Sequence, residues 1–245
     1  MKHVGIAGLV FSMLIGSLSL VQADDRILET LPRDLEIRLA LSANPAHLQD
    51  RATVYALNPK VGYELAKQGD NGFTCLVVRT HPRTPFYRND LIVPICHDKA
   101  GTEAILPKWF DMAALRAKGV AKQEILDTIK QNFASGKYKA PQRSGVAPML
   151  SSIFRIFPKP GATEPVMLNY PHLMFYAPGM KKGDIAGRPF DPVYPWILGE
   201  GPHALIIQPI GATERAKLNQ EHQTLMADTC AYKPEWCKKS RNSRD

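Results

Sequence analysis

Four cysteines constrain this chain more than any other residue type: Cys75, Cys96, Cys230 and Cys237. What an even number of cysteines means depends on the compartment. Disulfides persist where the surroundings oxidise, and thiols persist where they reduce. The first 23 residues bear on that choice. Met1-Lys2-His3 opens with a positive charge, and an apolar run from Val4 to Leu20 follows, diluted by Gly5, Gly8 and Gly16. It closes on Val21-Gln22-Ala23, with small residues three places and one place before Asp24. A charged start, an apolar middle and small closing residues are the three parts of a secretory signal peptide. The competing assignment is a membrane anchor. The run of about 17 residues sits at the lower limit for a spanning helix, and the glycines weaken it further. Cleavage after Ala23 is therefore expected, with a periplasmic or secreted mature chain. No cysteine lies near the cleavage point, which argues against lipid attachment there. No later stretch approaches the length of a transmembrane span.

In an oxidising compartment the cysteines read as disulfides. Of three possible connectivities, local pairing is the simplest. Cys75–Cys96 would close a loop of about 20 residues, worth about 3 kcal/mol through the entropy of the unfolded chain. Cys230–Cys237 would tie a small loop around Lys233-Pro234-Glu235. A four-thiolate metal site or a redox pair has no spacing in its favour, because no Cys-x-x-Cys occurs.

Hydrophobic patterning gives an order of elements. Leu28, Leu31, Leu35, Leu39 and Leu41 predict a helix over 24–43, stopped by Asn44-Pro45, with a short helical turn over 46–51. Residues 53–57 predict a strand ending at Asn58-Pro59. Residues 61–79, turning at Gly69-Asp70-Asn71-Gly72, predict a hairpin. Residues 81–90 read as a surface loop. A strand over 91–96 carries Pro94, which suits an edge or a strand end because proline cannot donate to a ladder. Two amphipathic helices follow, one after Pro107 ending at Gly119 and one over 121–134. Strands are expected over 149–157, 166–168, 173–177, 196–198 and 204–208, with a long loop over 179–194 and a polar helix from Thr213 to about Met226. Strands, helices and strands again predict an α+β fold, a single domain with a mainly antiparallel sheet and flanking helices. The expected division is a signal peptide over 1–23, the α+β domain over 24–211, and a segment over 212–245 holding a helix, a disulfide loop and a basic tail.

Several stretches together resemble a family of secreted bacterial proteins of unknown function. They are Asn71-Gly72-Phe73-Thr74-Cys75-Leu76-Val77, Cys96 with Asp98 two places on, Met149-Leu150-Ser151, Pro171-His172-Leu173-Met174-Phe175-Tyr176-Ala177-Pro178, and Pro202-His203-Ala204-Leu205-Ile206-Ile207. The resemblance spans residues 71 to 207. It implies no activity, so no catalytic role is carried onto these residues. The segment from about residue 212 looks like an extension beyond the shared part.

The residues with the most chemistry to offer are histidines. Pro171-His172 and Pro202-His203 each open an apolar strand segment, which sets His172 and His203 in similar local contexts. Glu200 lies three residues before His203, and His97-Asp98 follows the Cys96 strand. If His172 and His203 entered one sheet from the same side, two imidazoles and a carboxylate could bind a transition metal or act as base and orienting acid. Antiparallel pairing would put the two strand starts at opposite ends, where each histidine serves as a structural cap. The 31-residue spacing matches no zinc signature. No Gly-x-Ser-x-Gly and no phosphate loop occurs: Gly183-Asp184-Ile185-Ala186-Gly187 is too short, and no Walker-type lysine follows it. Phe175, Tyr176, Tyr194 and Trp196 suit core packing better than a ligand groove.

The net charge is +8, yet it is dispersed and densest in the tail Lys238-Lys239-Ser240-Arg241. That tail offers an anionic surface a contact, and no specific nucleic-acid signal appears. Two function classes follow. The first is a non-enzymatic binding protein with a pocket near the His172 and His203 strands. The second is a metal-dependent or histidine-based hydrolase using those two residues. The sequence points to no particular cofactor.

Overall fold

The computed structural model describes residues 28–80, 87–158, 162 and 164–237. The apolar leader, most of the loop over 81–90 and the basic tail lie outside the described residues. Eight α-helices and ten β-strands are found among them. The first helix, α1 (Arg33–Leu41), begins after Pro32, later than the leucine spacing predicts. Proline at that position favours an extended residue before it, so Leu28 and Leu31 enter the core from non-helical chain. A short α2 (Ala46–Gln49) follows.

The first sheet holds β1 (Thr53–Asn58), β2 (Gly62–Lys67), β3 (Thr74–Val78) and β4 (Val93–His97), in the order β2-β1-β3-β4. The expected hairpin over 61–79 is not formed. β2 pairs antiparallel with β1, and β3 lies parallel to β1 on its other side. The cause is local. Asn58 makes the tight reversal, its side-chain oxygen accepting from the Lys60 N–H at 2.9 Å. The Gly69–Gly72 turn instead crosses the sheet end: the Asn71 amide donates to the Leu48 carbonyl at 2.7 Å, and the Thr53 N–H donates to the Phe73 carbonyl at 2.9 Å. Pro94 sits on β4, an edge strand, as its missing N–H requires.

Every residue of β3 is buried, so the strand serves two cores. Cys75 and Val77 face α1, packing with Leu35, Leu39, Val54, Cys96 and Trp236. Leu76 and Val78 face the other way, toward the second sheet. Cys75 and Cys96 stand directly opposite in the β3–β4 ladder and form a disulfide with Cα atoms 4.0 Å apart.

After β4 come α3 (Lys99–Ala104), α4 (Leu106–Ala117) and α5 (Lys122–Ala134). The α3 helix has no strong hydrophobic stripe, yet Asp98 caps it. The second sheet contains β5 (Val146–Met149), β8 (His172–Tyr176), β9 (Trp196–Leu198) and β10 (Leu205–Pro209), ordered β5-β8-β10-β9 and wholly antiparallel. Between β5 and β8 run the small paired strands β6 (Arg155–Ile156) and β7 (Val166–Met167). The strand expected over 149–157 is thus split, and its first part begins earlier, at Val146. Ala147, Met149, Met174, Tyr176, Trp196, Leu205 and Ile207 fill the core shared with the first sheet. This is the expected α+β fold.

The C-terminal segment is three helices where one was expected: α6 (Ala212–Glu221), α7 (Gln223–Tyr232) and α8 (Pro234–Cys237). His222 separates α6 from α7 and turns inward, its Nδ1 accepting from the Ser152 N–H at 3.3 Å. Trp236 is only 2% exposed and belongs to the α1 core, with the Arg79 guanidinium 5.8 Å from its ring centre. The Cys230–Cys237 disulfide holds that tryptophan's loop closed.

One carboxylate joins the sheets. Asp98 Oδ1 accepts from the Gly101 N–H at 3.0 Å, capping α3, while Oδ2 accepts from the Val146 N–H at 2.9 Å, anchoring β5. The close approach needs glycine twice. A Cβ on Gly145 would meet Asp98 Oδ2 at 2.2 Å, and one on Gly101 would meet the Tyr176 hydroxyl at 1.9 Å. Asp98→Ala strips the acceptor from two backbone donors and is expected to cost about 2 kcal/mol, with Asp98→Asn costing less; urea midpoints measure both. The disulfides differ in access. Cys75 and Cys96 are fully buried, whereas Cys230 and Cys237 are half-buried. A thiol reductant under native conditions is expected to open Cys230–Cys237 first, read as two alkylated cysteines in a peptide map while Cys75–Cys96 stays intact.

Candidate functional site

The register of β8 and β10 decides the fate of the His172–His203 pair. The two strands run antiparallel, with His172 opposite Pro209 and Tyr176 opposite Leu205. His203 closes the 3-10 turn Gly201–His203 just before β10, so it lies at the Tyr176 end. His172 lies at the other end. The structure does not bring these two histidines together, and Glu200 is exposed on the approach to the turn. Among the described residues, no three His, Cys, Asp or Glu side chains are grouped to hold a metal ion.

His172 is a buried cap. Its Nδ1 lies 2.7 Å from the Tyr170 carbonyl, which can only accept, so Nδ1 carries the proton. The ring meets Phe154 and Tyr170 with centroids 5.9 and 5.2 Å away. Burial pushes its pKa down to about 4, against a smaller opposing effect of that carbonyl.

A different histidine, His97, lies against Tyr176 at that end of β8. It ends β4, is 1% exposed, and its Nδ1 lies 3.2 Å from the Tyr176 hydroxyl. Tyr176 ends β8, and its hydroxyl donates to the Val146 carbonyl at 3.2 Å. The next residue, Ala177, donates its N–H to the Ala204 carbonyl at 2.9 Å, and His203 adjoins Ala204. The chain of contacts from His97 to His203 therefore runs through Tyr176 and one backbone pair. Burial pushes His97 down to about 3; Asp98 opposes that shift, while charges on Lys108 and His203 add to it. Burial likewise lowers His203, and pushes the Lys108 ammonium down to about 8. Burial, then the Asp98 charge, hold the Tyr176 phenol well above its ordinary range. Burial thus acts in one direction on all three bases, against the charged forms of His97, His203 and Lys108.

A separate cleft of about 310 Å³ opens between the sheet region and the C-terminal helices. Ser152, Met167 and Asn169 line it from the segments between β5 and β8, and Asn219, Gln223 and Met226 line it from α6 and α7. One hydroxyl, three side-chain amides and two thioethers make its surface, and none of these groups is charged. His222 braces the wall from behind through Ser152. Comparison of the chain with protein-family models, with curated proteins and with solved structures finds no match.

Sequence reasoning missed the cleft because amides and methionines at irregular spacing carry no motif. It also missed Lys108 and the role of Tyr176. Asp98 gave a usable signal, an aspartate three residues before Gly101 at the start of a helix.

The sign of the pH dependence at His172 follows from its depressed folded value. Its contribution to stability is complete above the unfolded value near 6.5 and is lost as pH falls toward about 4. His172→Asn keeps a donor at the Nδ1 position without a titrating ring. Between pH 6.5 and 5 the variant's stability is expected to fall less steeply than wild type, by up to about 1.4 kcal/mol per pH unit, in urea melts at stepped pH.

Proposed function

We propose that this chain is an exported, disulfide-stabilised binding protein whose ligand occupies the cleft between the sheets and the C-terminal helices. Export rests on the three-part leader over 1–23 and agrees with four cysteines paired in two disulfides. Among the described residues, no helix is long and apolar enough to cross a membrane.

The observation that carries the binding reading is the composition of the cleft. Asn169, Asn219 and Gln223 each present a donor and an acceptor side by side, the complement of another amide. Met167 and Met226 supply unbranched, polarisable walls that adapt to varied apolar groups. A wall without charge disfavours an ionic ligand, whose desolvation it would not offset. An uncharged stretch of peptide backbone with small apolar side chains fits both features. At about 310 Å³ the cleft is at the small end of ligand sites, which limits the occupant to a short segment. The hydrolase reading loses its proposed centre with the separation of His172 from His203.

Titration calorimetry with N-acetylated, C-amidated alanine and leucine tripeptides tests the proposal. Saturable binding is expected, weakened about tenfold or more by Gln223→Ala and by Asn169→Ala, two lining residues on opposite walls. A neutral disaccharide serves as the comparison ligand. Binding of the sugar alone, or peptide binding indifferent to both substitutions, would overturn the peptide assignment.

A further inference from the structure

His222 is where the two helices that wall the cleft meet and turn. It closes α6 and opens α7 with φ −92° and ψ 7°, and it is only 6% exposed. Asn219 stands three residues before it, Gln223 next to it and Met226 four after it, and all three line the cleft. From the opposite wall the Ser152 N–H donates to His222 Nδ1 at 3.3 Å, and Ser152 lines the cleft as well. A backbone N–H can only donate, so Nδ1 holds the lone pair and Nε2 the ring proton. The α6 helix contains no buried residue of its own. Ties flank it at both ends: the Ile210 N–H donates to the Pro171 carbonyl at 3.0 Å just before it, and His222 holds Ser152 just after it.

Nδ1 is therefore the nitrogen that a further proton must reach. Once protonated, the ring sets an N–H against the Ser152 N–H, and two donors facing each other repel. The Ser152 amide, in a residue only 5% exposed, is then left without its acceptor. Burial disfavours the imidazolium and lowers its pKa below the ordinary value, while the neighbouring Glu221 carboxylate works the other way. The Ser151-Ser152-Ile153 segment brings no charge to the ring, and the Arg155 guanidinium beyond it turns to the Asp90 and Trp236 carbonyls. Elsewhere on the two helices Lys217 pairs with Glu214 and Asp228 with Arg38 of α1, and Arg215 stands about two turns up α6. The cleft lining holds no titratable group, so pH acts on it through this histidine.

We propose that His222 is an acid-released latch on the cleft: the neutral ring holds the helical wall against Ser152, and the protonated ring lets the wall go and the ligand with it. Release removes the tie at the C-terminal end of α6. The α7 helix stays in place, because Thr229 is fully buried and the Cys230–Cys237 disulfide holds its far end. The movement is thereby confined to α6 and the His222 joint, where Asn219 and Gln223 stand. By linkage, a ligand bound across both walls opposes the proton as much as the proton opposes the ligand. The direction is uptake at neutral pH and release in acid. Release of a capped peptide rests on the reading of the cleft given above; the latch itself rests on His222 and Ser152.

Ring and amide proton–nitrogen spectra of the purified protein, stepped from about pH 7.5 to about 4.5, test the latch without a ligand. At neutral pH the His222 Nδ1 is expected to appear as an unprotonated nitrogen. As it titrates, the Ser152 amide and the amides of α6 should lose hydrogen-exchange protection with the same midpoint, while those of α5 keep theirs. Calorimetry with the capped alanine tripeptide, which has no titrating group, then reads the cleft. Affinity should be flat at neutral pH and fall by up to about tenfold per pH unit below the His222 midpoint. His222→Asn places an amide oxygen where Nδ1 accepts, so it should bind as wild type at neutral pH with the acid loss abolished, whereas His172→Asn should leave that loss in place. No tripeptide binding at any pH, with the Ser152 and α6 amides still following His222, would sink the peptide reading and keep the latch. Ser152 and α6 amides indifferent to His222 protonation, or one pH profile shared by wild type and His222→Asn, would overturn the latch. The wild-type spectra decide the matter even if the variant fails to fold.

Discussion

The two-sided acceptance of backbone N–H groups by Asp98 is the contact on which the architecture turns. One carboxylate caps α3 and anchors β5, so it fixes the end of the first sheet to the start of the second. The backbone reinforces the junction, with the Asp98 N–H donating to the Val146 carbonyl at 3.2 Å. A charged acceptor serves this role better than a neutral one, since hydrogen bonds to an ionised group are shorter and stronger. The position of Tyr176, and through it that of His97, follows from the same junction. Two glycines, Gly101 and Gly145, leave the room that makes it possible.

A second constraint comes from burying β3 on both faces. Its alternating side chains serve two cores at once, with the Cys75–Cys96 bridge in the one that α1 covers. The C-terminal helices complete that core through Trp236, rather than hanging from it. Residues far apart in sequence thereby come to face each other across the cleft. Its walls belong to the middle of the chain on one side and to its end on the other. The tie between α7 and α1 is also electrostatic: Arg38 donates to Asp228 at 2.6 Å, though both groups are too exposed for the pair to add much.

Much of the fold was legible residue by residue. The β4, β7, β8, β9 and β10 strands sit within a residue or two of their apolar runs, because short runs bounded by proline and glycine admit few alternatives. The α4 and α5 helices follow their amphipathic stripes for the same reason. Failures came where a local signal competed with a distant partner. Asn71-Gly72 reads as hairpin chemistry, yet Asn71 is held by the Leu48 carbonyl and its strand pairs elsewhere. The helix expected over 213–226 breaks at His222, whose side chain turns to Ser152, 70 residues earlier. Of the candidate site, the sequence identified His97, His172, His203 and Glu200 as residues of interest, but it paired His203 with His172, which the sheet holds at its other end.

The sequence by itself determined the α+β class, the apolar leader, the positions of most elements and the cysteines available for pairing. These depend on local periodicity and composition, which neighbouring residues settle among themselves. Only the tertiary structure decided that His172 and His203 lie apart. Two Pro-His strand starts look equivalent along the chain, and antiparallel pairing sends one to each end of the sheet. Strand direction is set by packing and by the connections between strands, so the separation of His172 from His203 is written in the register of β8 with β10.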